Sequence, residues 1–290
     1  MSKTLILTEK EGWHFQQLKK SLSKINHTVF SACLSEISLT LENNKASLLF
    51  NEKPLPYFDY VIVRFIPGGS LEEITYYLNI LKIFEAMGSK VFNTAVQIEK
   101  TVDKLYTSYF LSDNRVDTPV TYVYRGYEKA QKFIEDYSKR RKLVYKPLFG
   151  SQGDNIKLLK DSSKLKKTDN LTNIYYFQEY LENKINHDYR VLIIRGHKKH
   201  KIFYMTRYGN TFINNISKGA VCKKESLNPK IINMALKTSE LLNMSFCGVD
   251  IMHYENKYYV IEVNSIPAWR GLQDVESENI ADQFVEILFN

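Results

Sequence analysis

The stretch that most limits how this chain can fold runs from Gly248 to Gln273, GVDIMHYENKYYVIEVNSIPAWRGLQ. An apolar run carries Asp250, and a polar turn follows at Tyr254-Glu255-Asn256-Lys257. A second β-rich run climbs through Tyr258 and Ile261 and delivers Glu262 and Asn264. Two such runs around a polar turn predict a hairpin. Asp250 and Glu262 then sit on neighbouring strands, and Glu262 and Asn264, two residues apart, share one face. Three oxygen donors converge, a set that suits a hard cation such as Mg²⁺ held partly by the phosphates of a nucleotide. The plainer alternative is an exposed hairpin with acidic residues for solubility. A Glu and an Asn inside a run as apolar as YYVIEVNSIP favour the metal.

With 290 residues the chain can bury a sizeable core and form two or three compact units. No apolar run reaches the roughly 18 residues of a membrane helix. The start, MSKTLILTEKEGW, has too short an apolar run for a signal peptide, so a cytoplasmic protein is expected. Cys33, Cys222 and Cys247 are widely spaced, which supports neither a disulfide framework nor a CxxC metal site. The net charge of +8 is clustered at SKRRK, KDSSKLKK, RGHKKHK and KGAVCKK. Such clusters fit a nucleic-acid surface, attraction for phosphates and an acidic substrate, or simply solvated faces. No RNA-binding motif accompanies them, so nucleic acid ranks last.

Along the chain, KTLIL, Thr28 to Phe30, SLTLE, ASLLF, YVIV and Val91-Phe92 read as strands. Helices are expected over Trp13 to Leu22 and Glu72 to Met87, the latter stopped near Gly88. This order predicts a small open α/β domain with a parallel sheet. At the carboxyl end of YVIV, Arg64 precedes a Pro-Gly-Gly loop, where open α/β sheets bind ligands. Arg64 reads either as a carboxylate or phosphate contact or as a surface cation. Further helices are expected over Thr101 to Asp113, Ala130 to Tyr137, Pro229 to Leu242 and Ile280 to Phe289. Strands are expected at TYVY, Leu143 to Lys146, IKLL, Ile174 to Leu181, Asp188 to Ile194 and Lys201 to Arg207.

Between two of these strands lies KPLFGSQG, Lys146 to Gly153. A lysine ending a strand, then a Gly-Ser-x-Gly loop, suits a phosphate cradle, because glycine permits close backbone approach and Ser151 can contact phosphate oxygens. No GK[ST] follows, so this is not a Walker A loop. Alone the motif is weak. Together with the downstream carboxylates it is strong.

The order Lys104, KPLFGSQG, QEYL, DYRV, NNISKGA, GVDI and IEVNSIPAWRGLQ resembles the ATP-grasp superfamily, and within it the RimK-type α-L-glutamate ligases. The nearest likeness is to the tetrahydromethanopterin:α-L-glutamate ligases, and it covers nearly the whole chain. It implies an α/β fold, α+β in the ligase part, divided into residues 1–97, 98–176 and 177–290. By that resemblance Lys104 and Lys146 contact ATP phosphates, and Gly150, Ser151, Gln152 and Gly153 close over them. Gln178, Glu179, Tyr180 and Leu181 form the adenine hinge, and Asp250, Glu262 and Asn264 bind Mg²⁺, with Mn²⁺ as a substitute. Arg190, Arg207 and Asn215 line the place where an acyl phosphate forms, and Arg270 serves acceptor or glutamate carboxylates. Departures from the family pattern are Asp154-Asn155 after the loop, Lys218 and Ala268; none removes a metal or lysine position.

The chemistry fits the residues. A carboxylate does not react with an amine at neutral pH until its oxygen becomes a leaving group, and a γ-phosphoryl group from ATP makes it one. No protein nucleophile is needed and no GxSxG is present. Arg190 and Arg207 suit carboxylates and an oxyanion, or else an ion pair on a sheet. The expected activity is an ATP-dependent carboxylate–amine ligase adding L-glutamate to a small carboxylate-ended acceptor such as a pterin-type cofactor. The alternative within the class joins another amino acid to a peptide, carrier protein or other small molecule. A non-catalytic nucleotide-binding module and a nucleic-acid protein are the competing classes. A homo-oligomer, dimer or tetramer, is compatible with the family, and no membrane partner is expected.

Overall fold

The structure, a computed structural model, describes residues 1–150, 155–160, 163–165, 172–212, 214, 216 and 219–289. Strands Lys3–Leu7, Thr28–Ala32, Tyr60–Val63 and Lys90–Phe92 form a parallel sheet with Lys3–Leu7 and Tyr60–Val63 at its centre. The expected parallel sheet is therefore present. The SLTLE and ASLLF runs do not join it. They pair antiparallel with each other as Ile37–Glu42 and Lys45–Phe50, in a separate three-stranded sheet. Their alternation with polar residues suits a sheet exposed on one face.

The helix Leu71–Ala86 starts on a capping box: Ser70 Oγ accepts from the Glu73 amide, and Glu73 Oε2 accepts from the Ser70 amide at 2.7 Å. A Cβ on Gly69 would lie 2.6 Å from Glu73 Oε2, so a larger residue there would have to displace the capping side chain. The single helix expected over Thr101 to Asp113 is two helices, Ala95–Val102 and Lys104–Asp113. Asp103 breaks them and caps the second, accepting from the Tyr106 amide, and so places Lys104 in the first turn.

A four-stranded antiparallel sheet follows, ordered Lys157–Leu159, Leu143–Lys146, Ile174–Glu179, Thr121–Arg125, with helix Tyr127–Tyr137 against one face. The last sheet holds Val221–Lys223, His200–Tyr208, His187–Arg195, Phe246–Tyr254 and Lys257–Asn264 in that order. Its hairpin turns at Glu255 and Asn256, both at positive φ, which is how a two-residue turn matches strand twist. Helix Pro229–Leu241 packs on one face. On the other, helix Ile280–Leu288 meets helix Trp13–Ser23 of the amino-terminal unit in one continuous core with Trp269 and Phe246.

Asn93 joins the two units. Its Nδ2 donates to the carbonyls of Phe246 (2.5 Å) and Ser265 (2.7 Å), and its Oδ1 accepts from the amides of Ser245 and Phe246. Asn93 is 1% exposed, so truncation strands buried backbone groups without water. Asn93→Ala is expected to lower stability by about 3 kcal/mol or more, read by urea denaturation; a change under about 0.5 kcal/mol would show that this clamp contributes nothing.

Candidate active site

Register builds the site. On the last sheet Arg190 lies opposite Asp250, Asp188 opposite Arg207, and Asp250 opposite Glu262. Asp188 and Arg190 are two apart and share a face, so four charges collect on three adjoining strands. Arg207 holds Asp188 through Nε (2.6 Å) and Nη2 (2.8 Å) and reaches Asp250 Oδ2 at 3.1 Å. Arg190 holds the same Asp250 carboxylate through Nε and through Nη2 at 2.8 Å. Asp250, Asp188 and Arg207 are each 3% exposed or less. Burial alone would raise the Asp250 carboxyl, but the two arginines outweigh it and hold it below the usual carboxylate range.

Glu262 differs. Among the described residues its carboxylate has no hydrogen-bond partner or ion pair, and it faces the cleft together with Asp250. Asn264 lies opposite Gly248, two residues further along the same face, and its Nδ2 is buried without a partner. Rotation about its last side-chain bond exchanges that nitrogen for the amide oxygen, so Asn264 can offer oxygen at the same point. Two carboxylates and one amide therefore fit a hard divalent cation, although no group of three His, Cys, Asp or Glu occurs among the described residues.

The other wall carries the lysines. Lys146, at the end of its strand, donates to Gln178 Oε1 at 2.6 Å, and Gln178 in turn donates to Thr121 Oγ1. Lys104 reaches the carbonyls of Gly150 (2.9 Å) and Leu148 (3.4 Å). Neither lysine has a carboxylate at ion-pair distance among the described residues. Burial pulls Lys146 down to about 8, with Glu262 opposing and Lys104 adding to the fall. Lys104 is also lowered, first by burial, with Glu262 and Asp103 opposing. Two cations that prefer company, facing a free carboxylate, suit a polyanion with its counter-ion.

Of the residues singled out in the sequence, Lys104, Lys146, Gly150, Gln178, Glu179, Tyr180, Leu181, Arg207, Asp250 and Glu262 line this one cleft. Arg190 holds the Asp250 carboxylate, and neither it nor Asn264 is among the residues that line the cleft. Arg270 is exposed near Trp13 at the seam between the units. Ser151, Gln152, Gly153 and Asn215 lie outside the described residues, as do Asp154 and Lys218. The amides of Glu179 and Tyr180 are already committed to the carbonyls of Val120 and Lys142, so base reading at the hinge falls to other groups. Asp188, Asn214 and Thr121 were missed. Asp188 was legible as the acid two residues before Arg190. Asn214 lines the cleft with a buried, unpartnered Oδ1, and only its neighbour had drawn notice.

Residues 101–288 match the RimK-like ATP-grasp domain and residues 2–98 the RimK PreATP-grasp domain. The chain therefore belongs to the RimK-like ATP-grasp family, whose curated relatives are carboxylate–amine ligases. It is 30% identical to the coenzyme gamma-F420-2:alpha-L-glutamate ligase of Methanocaldococcus jannaschii, over 72% of this chain and 73% of that one. It is 31% identical to the tetrahydromethanopterin:alpha-L-glutamate ligase of the same organism, over 68% and 69%. The probable alpha-L-glutamate ligase 2 of Pseudoalteromonas atlantica is 26% identical over 99% and 95%. Among solved structures, a RimK domain ATP-grasp protein from Sphaerobacter thermophilus superposes with a TM-score of 0.72 at 14% identity over the full length of both chains. The ATP-grasp ligase PsnB, solved with a precursor variant, Mg and ADP, gives 0.71 at 16% over 100% and 98%. The expected fold is thereby met.

Lys146 yields a pH prediction. Its ammonium is charged below about 8 and is lost as pH rises through that value. Affinity for a nucleotide is expected to fall between pH 7 and 9, measured with a fluorescent ADP analogue. Lys146→Arg, always charged, is expected to flatten the profile; an unchanged fall in that variant would remove Lys146 as its cause.

Proposed function

We propose that this chain joins L-glutamate, through its amine, to a small carboxylate-ended acceptor at the expense of ATP, releasing ADP and phosphate. The observation that carries the reading is the single cleft in which Lys104 and Lys146 face Asp250 and Glu262. The glutamate is inferred from the named activities of the relatives, which act on coenzyme F420 and tetrahydromethanopterin. A pterin-like or deazaflavin-like acceptor follows from the same source. The division into residues 1–97, 98–176 and 177–290 is kept as a proposal, as are a cytoplasmic location and a dimeric or tetrameric assembly. No helix among the described residues is long and apolar enough to cross a membrane.

Lys104 and Lys146 would neutralise phosphate charge, and Gln178 holds Lys146 in place for it. Asp250, Glu262 and Asn264 would hold Mg²⁺, or Mn²⁺ in its stead, which supplies further positive charge on the phosphates. ATP, a substrate here, turns the acceptor carboxylate into an acyl phosphate that the glutamate amine attacks. Arg207, fixed on Asp188 and Asp250, presents a rigid cation beside that carbon; Arg190 keeps Asp250 aimed. Asn214, with its unpartnered Oδ1, would accept a hydrogen bond from the attacking amine and orient it, the amine proton leaving with the released phosphate. Outside the described residues, Ser151, Gln152 and Gly153 are proposed to cover the phosphates, and Asn215 to sit near the reacting carboxyl. The hinge roles of Glu179, Tyr180 and Leu181 and the substrate role of Arg270 are proposed likewise.

An ADP-release assay with ATP, Mg²⁺, L-glutamate and a panel of carboxylate acceptors tests this. Glutamate-dependent turnover with a product one glutamyl unit heavier is expected. Glu262→Ala is expected to lose about 100-fold or more. Full activity in that variant would refute the metal site, and a product carrying a different amino acid would refute glutamate.

A further inference from the structure

Arg64 follows strand Tyr60–Val63 of the amino-terminal sheet, yet its side chain belongs to the seam with the carboxyl-terminal unit. Its Nη2 donates to the Pro267 carbonyl at 2.8 Å, and its Cζ sits 4.5 Å from the centre of the Trp269 ring. The remaining donors, Nε and Nη1, are shielded from water and have no hydrogen-bond partner. Trp269 is 1% exposed, and its indole Nε1 is a third buried donor with no partner. Buried donors are satisfied in the great majority of cases, and exceptions call for an explanation. Three in one stacked pair is a surplus of donors with no acceptor.

The charge balance points the same way. Among the described residues no carboxylate pairs with Arg64 or Arg270. His14 packs edge-on against the Trp269 ring, centroids 4.5 Å apart, and its Nε2 accepts the Trp269 backbone N–H at 3.0 Å, which leaves the imidazole neutral. Burial, then Arg64, then Arg270 hold it down to about 3, so it adds no charge and no counter-charge. Burial lowers the Arg64 guanidinium to about 9, still protonated at neutral pH. The pair also approaches the network that holds Asp250. A Cβ on Gly248 would lie 3.1 Å from Pro267 Cβ and 3.2 Å from Arg190 Nη1, so one backbone position separates Arg64's partner from the arginine that holds Asp250.

We propose that Arg64 and Trp269 form a carboxylate subsite, which binds the acid group of a substrate whose other end reaches toward Asp250 and Glu262. Arg64 supplies charge and N–H, Trp269 supplies N–H and a ring against which the guanidinium rests, and His14 fixes the Trp269 backbone. The substrate class is a dicarboxylate. This rests on the ligase reading, under which two substrates carry such a group: the incoming amino acid and an acceptor ending in one.

Trp13 and Trp269 are the only 2 tryptophans, so indole fluorescence of the full chain reports on the subsite. In Trp13→Phe it reports on Trp269 alone. Titration with L-glutamate and separately with glutarate, an acceptor-like diacid without an amine, is expected to give a saturable change. Response to L-glutamate alone assigns the subsite to the amino acid, and response to glutarate alone to the acceptor. In Arg64→Met the midpoint is expected to rise about tenfold or more, and in Arg64→Lys less. Arg64→Met is expected to melt no lower than wild type, since it removes a buried cation without a counter-ion; a lower melt with unchanged midpoints would mark a structural residue and overturn the proposal. So would silence to both acids, or equal midpoints in wild type and Arg64→Met. The titration contains no ATP. Carboxylate binding without turnover would therefore refute the ligase reading alone, and turnover indifferent to Arg64→Met would refute the subsite alone.

Discussion

The arrangement on which the rest depends is the carboxylate of Asp250, buried on an interior strand and held by two arginines, Arg190 from the neighbouring strand and Arg207 from the strand beyond it. An ionised carboxylate in that position is costly unless paired and hydrogen-bonded. Arg190 and Arg207 meet that need, and Asp188 holds Arg207 from the far side. The network leaves Asp250 charged and fixed while Glu262, across the hairpin, stays uncommitted. One acid is thus rigid and the other available, the division that the proposed cation site would use. Removing either arginine would leave charge stranded, at a cost of about 3–5 kcal/mol, so the same contacts that shape the chemistry also constrain the fold.

Facing this acid-rich wall are lysines without acids of their own. Gln178 and the carbonyls of Leu148 and Gly150 hold them by hydrogen bonds rather than by opposite charge. A lysine paired with a carboxylate would already be neutralised; these keep their field for a ligand. The basic surplus of the chain thus has a local meaning in the cleft that the surface clusters do not share.

Much of this was legible beforehand, for identifiable reasons. The hairpin declared itself through its polar turn, and strands such as Lys3–Leu7, Tyr60–Val63 and Leu143–Lys146 through short apolar runs. Spacing of two put Glu262 and Asn264 on one face. What stayed hidden depended on register between distant segments. Arg190 and Arg207 are both ion-paired with acids, and which acid each meets is set by pairing across up to 60 residues of sequence. Gln178 looked like a hinge residue, and its side chain proves to hold Lys146. Asn93, Arg64 and Trp269 acquire their surroundings only when the two units dock, which no local pattern encodes. The short helix Arg270–Gln273 was also unmarked, being a single turn without a capping side chain.

The central claim is that the cleft activates a carboxylate by phosphorylation with no protein nucleophile taking part. The most direct test labels the carboxylate oxygens of a turned-over acceptor with ¹⁸O and analyses the phosphate released with each amide formed. The account predicts one ¹⁸O in each phosphate, carried from the carboxylate. Amide formation with unlabelled phosphate would contradict it.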